Sequence, residues 1–279
     1  MNLLQRCSCN VTLVGLCLAT VTGAYAQVGS INSATISHLF NDMPGATVTP
    51  VNSYPGSISL SESGVTRVAA GGLNRDAWFF SNNGGVTPYA FQNNDYFNAS
   101  FNLTLTGSGT AGVDLEAGWL FSNPSGSFGG DLQSIITGAG VVVQFGGPSY
   151  YPFSPAAGGY PGAGGSVPNY TLGATYLMGL NYVIDPNTGR NAFEYSVNGQ
   201  FAASSPGNPY FDLGPGVGIG NLGPNPLGGY FQIGNDPTNP NNHGTALFGD
   251  ITITSVPEPS TLAFLGLGIV SLLFRRRLI

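Results

Sequence analysis

From Tyr176 to Ala202 the chain reads YLMGLNYVIDPNTGRNAFEYSVNGQFA, and this stretch decides the fold class. Tyr176 to Ile184 is rich in the aromatic and β-branched residues that suit a pleated surface. Asp185-Pro186-Asn187-Thr188-Gly189 interrupts it: Pro186 presets φ for a reverse turn, and Gly189 can take the left-handed conformation that closes a bulged hairpin. Asn191 to Val197 then returns as a second strand, with Phe193, Tyr195 and Val197 on one face by the period of two. Asn198-Gly199 is the strongest short hairpin signal a sequence offers, so Gln200 to Ala202 turns back once more. The stretch predicts a three-stranded antiparallel meander.

Working outward, the same alternation recurs. Phe97 to Thr106 places Phe97, Phe101, Leu103 and Leu105 on one face, and Leu115, Ala117, Trp119 and Phe121 share a parity in the next run. Gly140 to Phe145 is a short, nearly continuous apolar run. Further strands are expected at Ser57 to Leu60, Val65 to Ala70, Ala77 to Phe80, Val217 to Gly220, Phe231 to Gly234 and Ala246 to Thr254. No amphipathic helix interrupts them. A dozen short strands with one apolar face each must cover that face, and two packed sheets do so. The expected fold is an all-β, two-sheet antiparallel sandwich.

Composition supports a folded chain. Gly and Pro are abundant (43 and 20 residues), yet aromatics reach 11% and charged residues only 7%, so Gly and Pro read as turns rather than as disorder. There is no lysine. Of the seven arginines, only Arg67, Arg75 and Arg190 lie between the two terminal segments. So acidic a domain cannot neutralise a phosphate backbone, which excludes nucleic acid as a partner. Cys7, Cys9 and Cys17 all lie near the N-terminus, leaving the rest without a disulfide or a thiolate.

Residues 1–26 read as a signal peptide with a helical apolar region. Arg6 is the positive n-region, Val11 to Val21 the apolar stretch, and Ala24-Tyr25-Ala26 the cleavage motif before Gln27. At the other end, Val256-Pro257-Glu258-Pro259 leads into an apolar segment, with a short transmembrane helix expected over 260–274 and the basic cluster Arg275, Arg276 and Arg277 after it. The cluster stays on the cytoplasmic side by the positive-inside rule. This tail resembles the PEP-CTERM sorting signal of Gram-negative bacteria, also catalogued as the ice-binding protein C-terminal domain. The resemblance implies an inner-membrane intermediate, then recognition by an exosortase near Pro257-Glu258-Pro259 and delivery to the cell surface, outer envelope or exterior. Signal peptidase is the other processing partner. The resulting division is 1–26 signal peptide, 27–255 domain and 256–279 sorting segment.

The meander, together with Phe231 to Asn235 and Ala246 to Thr254, resembles the concanavalin A-like (laminin G-like) jelly roll. That family's catalytic members prompt a test of Asp114 and Glu116, which are two apart and share a strand face. The laminarinase-type pattern has a third carboxylate and the reverse order, so the pair reads as a solvated strand face and no catalytic residue is assigned. Arg75-Asp76 reads as a local ion pair at a strand start. His38 and His243 are far apart, and no zinc, serine-hydrolase or dinucleotide motif is present. The Gly/Pro/Tyr-rich segment 146–168 reads as a surface insertion, with Tyr150, Tyr151 and Tyr160 as a candidate ligand loop. The oxygen-rich run around Asp236 is a weak calcium candidate, holding a single carboxylate. No cofactor is expected.

Together these readings predict an exported, non-catalytic surface or matrix protein associated with polysaccharide. A carbohydrate-active enzyme on the same jelly roll and a self-assembling structural protein are the alternatives.

Overall fold

The computed structural model describes residues 27–65, 73–108, 115–121, 132–137, 140–145, 172–201, 207–222, 226–234 and 242–256. Among them fourteen strands follow in order: β1 (Ser33–Asn41), β2 (Thr47–Ser53), β3 (Ser57–Val65), β4 (Leu73–Ser81), β5 (Phe97–Ser108), β6 (Leu115–Phe121), β7 (Leu132–Thr137), β8 (Gly140–Phe145), β9 (Thr175–Ile184), β10 (Asn191–Val197), β11 (Gln200–Phe201), β12 (Phe211–Asp212), β13 (Leu227–Gly234) and β14 (Asn242–Ser255). They form two antiparallel sheets. One has the order β1-β4-β13-β6-β7-β8; the other runs β11-β10-β9-β5-β14-β3-β2, with β12 paired to β10. The molecule is the expected two-sheet antiparallel sandwich.

The meander forms for the reasons its sequence gives. Gly189 has φ of 68°, while Asn198 and Gly199 have φ of 50° and 77°, the two consecutive left-handed residues a type I′ hairpin requires. Asp185 is buried and clamps the first turn: its Oδ1 accepts from the Asn187 amide at 2.8 Å and its Oδ2 from Thr188 Oγ1 at 3.0 Å. Phe193, Tyr195 and Val197 all face the core.

The inner faces mesh around aromatic rings. Trp78 and Phe80 of β4 and Trp119 of β6 meet Phe101 of β5 and Phe248 of β14 from the opposite sheet. Phe101 lies 4.2 Å from Trp119 and Trp78 lies 5.7 Å from Phe248, centroid to centroid. The alternating faces of Phe97–Leu105 and of Leu115–Trp119 are buried as the period of two predicts.

Two expectations need correction. Val217 to Gly220 is not a strand; it runs into a 3-10 turn at Ile219–Leu222. Val217 and Ile219 still pack on the core, but Gly214 and Gly216 adopt φ of 99° and 72°, away from the extended backbone a strand needs. Strands β1, β2, β7 and β12 were not expected. The strand expected over Val65 to Ala70 reaches only Val65, since 66–72 lies outside the described residues.

At the N-terminal end Gln27–Ser30 forms a 3-10 turn that buries Val28 in the core. At the other end the Val256 amide donates to the Tyr96 carbonyl at 2.8 Å. No helix among the described residues is long and apolar enough to cross a membrane. The span expected over 260–274 and the helical leader both lie outside them.

Candidate functional site

Successive strand residues point to opposite faces, so the outer face of the six-stranded sheet is read from the parity opposite to Trp78, Trp119 and Phe231. Arg75 of β4 is opposite Gln232 of β13, and Gln232 is opposite Glu116 of β6. Three polar residues from distant parts of the chain therefore form one row across three adjacent strands. Arg75 Nε donates to Gln232 Oε1 at 2.8 Å, and Gln232 Nε2 donates to Glu116 Oε2 at 2.9 Å. The Arg75 guanidinium carbon lies 5.1 Å from the centroid of the Tyr230 ring, a cation–π geometry. Beside this row, Ala77, Phe79, Leu120 and Tyr230 make a small apolar cluster with Leu39 packed against it.

This face is buried although it points away from the main core. Arg75, Gln232 and Glu116 are 1%, 6% and 8% exposed. Burial pushes the Glu116 carboxyl up to about 7, and the attraction of Arg75 opposes the shift. The shift brings the carboxyl closer to neutrality than a solvated one. The expectation that Glu116 sits on a solvated strand face is corrected: the row places it beside Gln232, under cover.

The expected Arg75–Asp76 ion pair is also corrected. Neighbours on a strand point apart, so Arg75 faces outward and Asp76 inward. Asp76 Oδ1 instead meets Nδ1 of His38, its cross-strand neighbour on β1. Glu62 of β3, from the other sheet, completes a group whose candidate ligand atoms all lie within 4.8 Å of one another. Asn74 fixes the Glu62 carboxylate, donating Nδ2 to its Oε2 at 2.7 Å, and accepts the Met43 amide at 2.9 Å. Burial, and then the hydrogen bond with Asp76, pushes Glu62 up to about 8, with Asn74 acting the other way.

The C-terminal stretch matches a known family: residues 255–277 fit the PEP-CTERM protein-sorting motif. The chain carries a PEP-CTERM sorting signal. The signal implies export, processing by an exosortase, and delivery to the cell envelope or surface. A search of the curated proteins finds no match.

Among solved structures, the chain is similar to alginate lyase AlgAT5 of polysaccharide lyase family 7 (10% identity, TM-score 0.47, covering 84% of this chain and 100% of that one). It is also similar to a GH131 β-glucanase catalytic domain from Podospora anserina (9%, 0.40, 82% and 87%) and to the Emp46p carbohydrate recognition domain (10%, 0.40, 82% and 94%). The expectation of a non-catalytic domain is corrected here: enzyme domains stand among these structures, so the sandwich gives no ground for excluding catalysis. At such identities the likeness concerns the fold.

Several residues singled out from the sequence lie outside the described ones: Ala24, Ala26, Asp114, Tyr150, Tyr151, Tyr160, Asp236, Pro257, Glu258, Pro259, Arg275, Arg276 and Arg277. Gln27 opens the first 3-10 turn and Val256 is the last described residue. His243 joins no cluster with His38; its Nδ1 is 2.9 Å from Ser108 Oγ. Sequence reading missed Gln232, Tyr230 and Glu62. For Glu62 a signal existed: it continues the parity of Ile58 and Leu60, so a carboxylate sits where an apolar residue belongs.

Proposed function

We propose that the exported domain engages a polysaccharide of the envelope or exterior through the outer face of its six-stranded sheet, and that Glu116 is placed to move a proton during its turnover. The row Arg75–Gln232–Glu116 carries this reading, because the inter-sheet core does not need these residues and they are nonetheless held in register. An arginine, a tyrosine and a glutamine that both donates and accepts are groups that hold sugars; at 1%, 0% and 6% exposure they meet a polymer only once that face is uncovered. The sorting signal supports it, since it takes the domain to where such polymers lie.

Binding and chain cleavage should be measured on panels of neutral and uronic-acid polysaccharides, with Arg75→Lys and Glu116→Gln as variants. The reading expects at least tenfold weaker binding in Arg75→Lys, and turnover lost with binding retained in Glu116→Gln. Absence of binding to every polymer, or binding unchanged in Arg75→Lys, overturns it.

Self-assembly is a second reading, favoured by Val51 and Phe201, which are exposed on the edge strands β2 and β11. A monomeric elution profile across protein concentrations contradicts it.

A further inference from the structure

We infer that His38, Glu62 and Asp76 form a site for a divalent transition cation, with zinc as the reference case, that ties the two sheets together across the sandwich. Asp76 and His38 belong to neighbouring strands of one sheet and Glu62 to the other, yet their ligand atoms gather within 4.8 Å. Ligand atoms around a tetrahedral zinc at ~2.0–2.2 Å lie about 3.4 Å apart, within reach of modest side-chain rotations from this arrangement. The donor set selects the metal. Calcium takes six to eight oxygens, whereas one imidazole nitrogen with two carboxylates suits zinc and its neighbours.

An independent observation points to a ligand. Glu62 and Asp76 are 2% and 1% exposed, and each leaves one oxygen, Glu62 Oε1 and Asp76 Oδ2, with no donor except a proton the two carboxyls would share and a cation would displace. Two buried carboxylates with orphaned oxygens are costly unless a proton or a cation joins them. Asn74 already holds Glu62 in place by its other oxygen, the outer support that metal-binding carboxylates receive. The way in is through His38, whose side chain is 33% exposed while both carboxylates are closed off.

Such a staple fits the chain's chemistry. The only cysteines are Cys7, Cys9 and Cys17, so no disulfide can link the sheets of the sandwich. A metal bound only by the folded state stabilises it through its binding free energy, as a cross-link would.

The test is calorimetric titration of the processed, chelator-treated protein with zinc chloride, and separately with manganese and calcium chloride. The expected result is one zinc per chain and a thermal midpoint that rises with zinc. Both Glu62→Gln and His38→Ala should weaken binding at least tenfold and abolish the rise. His38 is partly exposed, so His38→Ala decides the question even if Glu62→Gln fails to fold. Absence of saturable zinc binding, zinc binding that both folded variants retain, or calcium bound in preference to zinc overturns the inference.

Discussion

Replacing Glu116 by glutamine should remove a pH-dependent cost from the folded state. Below about pH 4.5 the carboxyl is protonated in both folded and unfolded chains and contributes nothing to the difference. As pH rises from 4.5 the unfolded chain ionises, while the folded one, with Glu116 pushed up to about 7, holds its proton. Stability therefore falls through that window and the loss is complete above about 7. A window of roughly 2.5 units at 1.36 kcal/mol per unit makes it about 3 kcal/mol, an order-of-magnitude figure. Glutamine keeps an oxygen to accept the Gln232 amide and never ionises. Glu116→Gln should thus match the parent near pH 4 and exceed it by about 3 kcal/mol near pH 8. Guanidinium unfolding of residues 27–256 across that range measures this. Glu62, also pushed upward, is common to both proteins and cancels in the difference. Parallel stability profiles for the two proteins would refute the assignment of Glu116 to a buried row.

Two further outcomes follow from the packing. Phe101→Ala, at the ring contact with Trp119 and Phe248, should cost about 3–5 kcal/mol, read as a lower denaturation midpoint with an unchanged slope. Gly228→Ala should prevent β13 from pairing with β4, because a Cβ there would lie 2.7 Å from Phe79 Cα and closer still to the Trp78 carbonyl oxygen; the near-ultraviolet dichroism of the buried tryptophans should collapse.

Local rules made the hairpins legible. Asp185-Pro186-Asn187-Thr188-Gly189 and Asn198-Gly199 state their own backbone geometry, and the period of two placed Phe97–Leu105, Leu115–Trp119 and Phe193–Val197 on the core. β2 escaped notice because Thr47–Ser53 is almost entirely solvent-facing and holds Pro50, as befits an edge strand with no apolar face to announce it. The Gly-rich run before Ile219 misled in the other direction, its valine and isoleucine suggesting a strand that its glycines do not sustain.

The site was legible only in fragments. Arg75 and Glu116 were noticed, but each with its sequence neighbour, Asp76 or Asp114. Their real partner, Gln232, is more than a hundred positions away and becomes adjacent only through the order β4-β13-β6, which periodicity cannot supply. The His38 cluster is hidden for the same reason, since its three members come from three strands of two sheets. Parity carried a trace of it: Glu62 follows Ile58 and Leu60, and Asp76 precedes Trp78 and Phe80, each as a charge on an apolar face.

A role on extracellular polymers requires this sandwich to be carried out of the cell by its own tail. In its native host, cell fractions and intact masses should be compared for the full chain and for a chain ending at Val256. The full chain should reach the envelope or surface with a mass reduced by processing, and the shortened chain should miss that destination. The same location for both chains, with an unprocessed mass for the full one, contradicts this.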